Sequence, residues 1–168
     1  LRARRGEVMT SSLVPLPIVV PLLGAAITVV FGRFRHVQQI VSLLSLTSVI
    51  AVAIALVVQA DRHGVVTMDA GGWPAPLGIT LVVDRLAAVM LLTSSLMLLV
   101  VKLYAVGQRG VADRHVGFSP IYLVLASGVS ARFITGDMFN LFVTYEMMLA
   151  ASYVQLTQGG KREQIRAG

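Results

Sequence analysis

Long stretches without charge dominate the chain and limit what it can fold into. They cover residues 13–32, 37–60, 86–101, 116–131 and 138–160, and only the last contains an ionisable side chain of appreciable acidity, Glu146. A bilayer core of roughly 30 Å takes about 20 apolar residues as a helix. Hydrocarbon leaves no water for backbone groups, so a spanning segment must satisfy them internally. The pattern predicts an all-α integral membrane protein with five transmembrane helices. The third and fourth runs are short. The third reaches back to Leu81 if Asp84 and Arg85 lie at the membrane surface, with Lys102 snorkelling at the other end. Composition agrees: 56% of the 168 residues are hydrophobic and 13% charged, with a mean hydropathy of +0.81, against about 25% charged in an ordinary soluble domain.

Several functional classes drop out. The chain has no cysteine, which excludes thiolate metal sites, iron–sulfur clusters and disulfides. His36, His63 and His115 are expected in connections, at spacings that match no metal signature. No phosphate loop, nucleophile elbow or HExxH sequence is present, so no cofactor or metal is expected. The net charge of +6 is scattered among the apolar runs and points to membrane orientation, not to nucleic acid. If the N-terminus is external, the inner side carries Arg33, Arg35, Lys102, Arg109, Arg114, Lys161, Arg162 and Arg166, and the outer side Arg2, Arg4, Arg5, Arg62, Arg85 and Arg132. Met9 opens "MTSSLVPLPIVVPLLG", a natural start for a membrane helix, so residues 1–8 are expected to be a non-native extension. Without them the bias sharpens and puts the N-terminus outside and the C-terminus in the cytoplasm. A signal peptide is not expected, because "GRFRH" places positive charge on the wrong side of the first run.

Along the chain, Pro15, Pro17 and Pro21 crowd the first span and imply a kink. Gly71, Gly72, Pro74 and Pro76 mark turns in the largest outer connection, and Trp73 suits the interfacial belt. "TGD" at 135–137 reads as a tight reversal into the fifth helix. Glu146 lies nine residues beyond Asp137, about 13 to 14 Å along the axis and near the midplane. A charged residue there costs about 2.5 to 3.5 kcal/mol on insertion scales. Such a group serves either as a proton or cation relay or as a hydrogen-bonded element of helix packing. Asp137 reads as an N-cap, facing away from Glu146. Phe139, Phe142, Val143, Leu149, Ala150 and Tyr153 share the Glu146 side and read as a packing face with one polar tip, Tyr153. Arg132 is placed either to pair with Asp137 or to snorkel.

"TGDMFNLFVTYEMMLAASYVQLTQGGKREQIRAG" resembles the fifth-helix region of the D-type subunits of Mrp-type cation/proton antiporters, relatives of the antiporter-like proton-pumping subunits of respiratory complex I. "GGWPAPLGITLVVDRLAAVMLL" resembles the second connection and third helix of the same subunits. The resemblance runs from about Leu13 to the last residue. It implies the N-terminal part of a larger antiporter-like helical bundle. Residues 9–117 would hold three N-terminal helices, and residues 118–168 the first two helices of the first inverted repeat, cut short as in an interrupted frame or a partial sequence. It further implies that Glu146 belongs to the ion path and works opposite lysines on later helices, with Asp84 and Asp137 matching the acids that open the third and fifth helices. The implied activity is exchange of Na+ or another monovalent cation for protons, in a hetero-oligomeric complex with other antiporter subunits in the cell membrane. The present chain alone is expected to be inactive. The alternatives are a proton-pumping subunit of an NADH–quinone oxidoreductase and a non-transporting membrane scaffold. Arg132 stands where the family usually has a small residue.

Overall fold

A computed structural model describes residues 12–70, 78–107 and 117–157. It contains five helices: α1 (Leu16–Val30), α2 (Arg35–His63), α3 (Arg85–Gly107), α4 (Phe118–Ile134) and α5 (Met138–Thr157). Two strands, β1 (Val66–Asp69) and β2 (Thr80–Val83), form an antiparallel hairpin between α2 and α3. Residues 1–8, Trp73 with its neighbouring glycines and prolines, His115 and the tail from Lys161 lie outside the described residues.

Local chemistry sets the ends of each helix. Pro15 and Pro17 fall at the N-cap and first turn of α1, where a missing N–H is no loss, and the helix continues through Pro21. The connection to α2 is short, and Gln38 closes it. Its side-chain amide, 3% exposed, donates to the Thr28 and Gly32 carbonyls at 3.3 and 3.1 Å, supplying partners to carbonyls that the end of α1 leaves open. The 29 residues of α2 make a rod of about 43 Å, longer than a bilayer core. His36 and His63 therefore occupy its first and last turns and not the connections expected for them.

The third span does not extend back to Leu81. Residues 80–83 read Thr-Leu-Val-Val, which favours a strand, and they pair with β1 in the register Val66↔Val83, Thr67↔Val82, Met68↔Leu81 and Asp69↔Thr80. The alternate residues Leu81 and Val83 turn into the core. Asp84 ends the strand and starts the helix, its Oδ1 accepting the Ala87 N–H at 2.6 Å. From Arg85 the 23 residues of α3 cover about 34 Å and need no extension.

The helices associate around α4, which packs on α1, α2, α3 and α5. Its buried positions include Ser119, Ala126, Ser127, Gly128, Ser130 and Ala131, small side chains that let helix backbones approach in a bilayer. At the hairpin end, Val14, Ala53, Leu56, Leu81, Val83, Leu91 and Ile134 form one apolar cluster. Ala25, Leu46, Tyr122, Leu123 and Ala126 form a second.

The outside of the bundle is apolar. Leu23, Val30, Leu44, Met97, Val100, Phe139 and Leu149 are all more than half exposed, whereas Gln38, Ser42, Ser95, Lys102, Ser119, Ser127 and Thr144 are buried. This inversion of the soluble pattern fits hydrocarbon as the surrounding solvent. Among the described residues, α2 and α3 are each long and apolar enough to cross a membrane unaided, while α1 and α4 are shorter apolar helices.

Candidate functional site

The reversal between α4 and α5 is fixed from two sides. Thr135 bridges to Leu81, and the Gly136 N–H donates to the Thr80 carbonyl at 2.9 Å. A Cβ on Gly136 would come within 2.5 Å of Val82 Cγ2 and 3.0 Å of that same carbonyl, so the link passes β2 only as glycine. Asp137 then caps α5. Its Oδ1 accepts the Phe139 N–H and its Oδ2 the Asn140 N–H, both at 3.2 Å, while the Asn140 amide returns to Thr135 Oγ1 at 2.8 Å. Asp84 and Asp137 thus lie at the same end of the bundle, each engaged with the first N–H groups of its own helix.

From this anchor α5 packs on α4, burying Thr144 and Ala151. At the crossing, a Cβ on Gly128 would meet Met147 Cε at 3.3 Å and the Met148 nitrogen and Thr144 carbonyl at 3.4 Å. The buried side of α5 is therefore the one bearing Thr144 and Ala151. The stripe Phe139, Phe142, Val143, Glu146, Leu149 and Tyr153 is exposed from top to bottom. It repeats every three to four residues, as one helix face should, but within the described helices it stays exposed. Glu146 makes no hydrogen bond or ion pair among the described residues, and Tyr153 lies on the same face two turns further on.

Asp84 and Asp137 share one end, Glu146 stands deeper on an open face, and Tyr153 is deeper still. They do not converge on one pocket. Among the described residues no group of His, Asp and Glu side chains could hold a metal ion. Arg132 does not take the first role foreseen for it, pairing with Asp137. Its guanidinium carbon lies 4.7 Å from the Phe133 ring centroid and 5.6 Å from that of Tyr145, a cation–π arrangement, and it forms no ion pair with Asp137 among the described residues.

Lys102 is the larger departure. It does not snorkel: it is fully buried between α3 and α4, with Nζ donating to Ser119 Oγ at 2.9 Å. Ala88, Leu91, Ser95 and Lys102 fall on one helical stripe, the buried face of α3, so periodicity places the residue but not the direction its head group takes.

A comparison with the D-type sodium/proton antiporter subunit of Alkalihalophilus pseudofirmus gives 34% identity over 156 residues, covering 93% of this chain and 32% of that one. This chain is a relative of the D-type antiporter subunits. Over 87% of its length it also superposes on a chain of the Mrp complex from Dietzia sp. DQ12-45-1b, with a TM-score of 0.79 and 31% identity, covering 27% of that chain. A chain of the membrane-bound sulfane sulfur reductase, an archaeal respiratory membrane complex, matches with a TM-score of 0.80 and 25% identity over 94% of this chain and 32% of that one. No family model matches. The D-type relative from Alkalihalophilus spans about three times the length of this chain, which covers 32% of it.

Proposed function

We propose that this chain is the N-terminal part of a D-type subunit of a multisubunit antiporter that exchanges Na+ or another monovalent cation for protons across the cell membrane. The observation that carries the proposal is the open face of α5: an apolar stripe bearing a single acid, in a chain that aligns with about a third of its D-type relative. An acid facing lipid is costly, so in the working protein this stripe is covered by further helices. In a transporter built of helix repeats, a site between repeats is where ions bind. Glu146 takes up and gives back a proton there as a cationic partner on the covering helices approaches and withdraws. The protein is part of a transporter, not an enzyme, and residues 118–168 open the first repeat. Its partners are the other antiporter subunits. The hairpin end faces outside and the C-terminal end of α5 the cytoplasm, in keeping with the Lys/Arg bias. Residues 1–168 alone do not transport, since nothing among the described residues covers Glu146.

Complementation tests this reading. A salt-sensitive host lacking its own antiporters regains growth on sodium with the full-length protein and its partners, and fails to with Glu146→Gln. Full rescue by Glu146→Gln overturns the role of Glu146. The likeness to a chain of a respiratory membrane complex favours a second reading, a component of a redox-driven ion pump. Co-purification with redox subunits in place of antiporter subunits would support that reading.

A further inference from the structure

At the hairpin end of the bundle a guanidinium is held by its neighbours without being satisfied by them. Arg132 is half-buried and lies two residues before the last residue of α4. Its guanidinium carbon rests 4.7 Å from the Phe133 ring centroid and 5.6 Å from that of Tyr145. The rings attract the charge and confine the side chain, but they offer no oxygen acceptor to its five N–H groups. Neither the Arg132 nor the Tyr145 side chain makes a hydrogen bond or ion pair with another described residue.

The described acids at this end are all engaged elsewhere. Asp61 pairs with Arg85 at 3.2 Å, Asp69 accepts the Thr80 hydroxyl at 2.8 Å, and Asp84 and Asp137 cap α3 and α5. Glu146 follows Tyr145 directly but lies about 100° further round α5, on the open face and away from the seam that holds Arg132. A cation at the edge of hydrocarbon is costly without an anion, so its anion comes from outside the described residues. The 17 residues of α4 cover about 25 Å, less than the roughly 30 Å of a bilayer core. Arg132, so close to the end of that helix, stands within side-chain reach of the headgroup phosphates. Tyr145 leans back toward the start of its own helix, the same end of the bundle, and brings a phenolic O–H with it. Met138, two turns earlier on the Tyr145 side of α5, is exposed and offers an apolar surface beside them.

We infer that Arg132 and Tyr145 form a binding site for the phosphate of an anionic phospholipid, at the seam where α4 ends and α5 begins. The guanidinium donates two parallel N–H bonds to a pair of phosphate oxygens, the fork geometry that suits arginine. The Tyr145 hydroxyl donates to a third oxygen, and an acyl chain runs past Met138. A headgroup without an ammonium fits best, because a second cation beside Arg132 would be repelled. A lipid phosphate suits the seam better than a carboxylate of another polypeptide, because the seam lies at headgroup depth and off the face of α5 that carries Glu146. The inference needs the bilayer setting but not the antiporter reading. A lipid bound there ties the start of α5 to the end of α4.

The test is native mass spectrometry of the full-length protein assembled with its partners, with phosphatidylglycerol titrated into wild type, Arg132→Gln and Tyr145→Phe. Wild type is expected to retain one more phosphatidylglycerol per subunit than Arg132→Gln, in which the affinity of that site falls by about tenfold or more. Tyr145→Phe, which loses only the hydroxyl, is expected to bind about threefold or more weakly. Dioleoylglycerol, which has acyl chains and no phosphate, should bind wild type and Arg132→Gln alike, and a difference between them would refute recognition through phosphate. Inorganic phosphate should not displace the bound lipid. Displacement would overturn the lipid assignment and leave a site for a free anion. Equal phosphatidylglycerol binding by wild type and Arg132→Gln would overturn the inference. Loss of partner subunits from Arg132→Gln with lipid binding unchanged would also overturn it and assign the guanidinium to a carboxylate of a partner. If Arg132→Gln does not assemble, Tyr145→Phe decides: weakened binding supports the site and unchanged binding refutes it. Failure of this site leaves the antiporter reading standing, and absence of exchange in the wild-type complex leaves this site standing.

Discussion

At the residue scale, three acids of similar chemistry acquire different roles from their places on helices. Asp84 and Asp137 precede first turns and satisfy open N–H groups. Glu146 follows two and a half turns into α5, where the backbone needs no such partner. The capping role of Asp137 was legible from "TGD" and the apolar run behind it, because turn and cap chemistry is local. Replacing Asp137 with Ala should destabilise the bundle by about 1 kcal/mol, and Asn, which caps nearly as well, by much less. Thermal unfolding in detergent, read by circular dichroism, separates the two. Equal loss in both variants would assign the effect to charge and not to capping. The inward turn of Lys102 was not legible in this way. Periodicity puts the residue on the buried stripe of α3, but the choice between snorkelling and burial depends on Ser119 and Phe118, residues of another helix.

At the element scale, the apolar runs marked five helices, and the hairpin was missed. Four-residue strands are too short to register against membrane-length runs, and β2 borrows apolar residues that also extend the third run. Its pairing with β1 and with Thr135 decides the outcome. The hairpin thereby positions the start of α5, since Gly136 fits between Val82 and the Thr80 carbonyl. Gly136→Ala should displace this link and lower stability by about 1–3 kcal/mol, the range for overpacking. Gly128→Ala faces mainly the flexible end of Met147 and should cost less than about 1 kcal/mol, whereas Gly128→Leu should separate α5 from α4. Thermal unfolding in detergent, read by circular dichroism, reports that loss of packing, as a lower midpoint in Gly128→Leu than in wild type. An unchanged midpoint would show that the crossing is not set by this glycine.

At the scale of the whole molecule, the five helices make a bundle whose interior is polar at selected points and whose surface is apolar. Among the described residues, the face of α5 that bears Glu146 is uncovered. The sequence showed which residues share that face but not that it points away from the rest, because facing depends on which side of α5 the small residues of α4 receive. In the assembled complex the stripe should be shielded. A cysteine at Leu149 or Phe142 should react with a membrane-permeant maleimide much more slowly in the complex than in residues 1–168 alone.

In the proposed exchange Glu146 carries the proton. The most direct test of that role is the initial rate of sodium-driven proton movement in everted vesicles containing the full-length protein and its partners, comparing wild type, Glu146→Asp and Glu146→Gln at equal assembly. Glu146→Asp, still an acid, should retain measurable exchange, and Glu146→Gln should lose it by about a hundredfold or more. Exchange by Glu146→Gln at the wild-type rate would rule out that role and leave Glu146 as a packing residue.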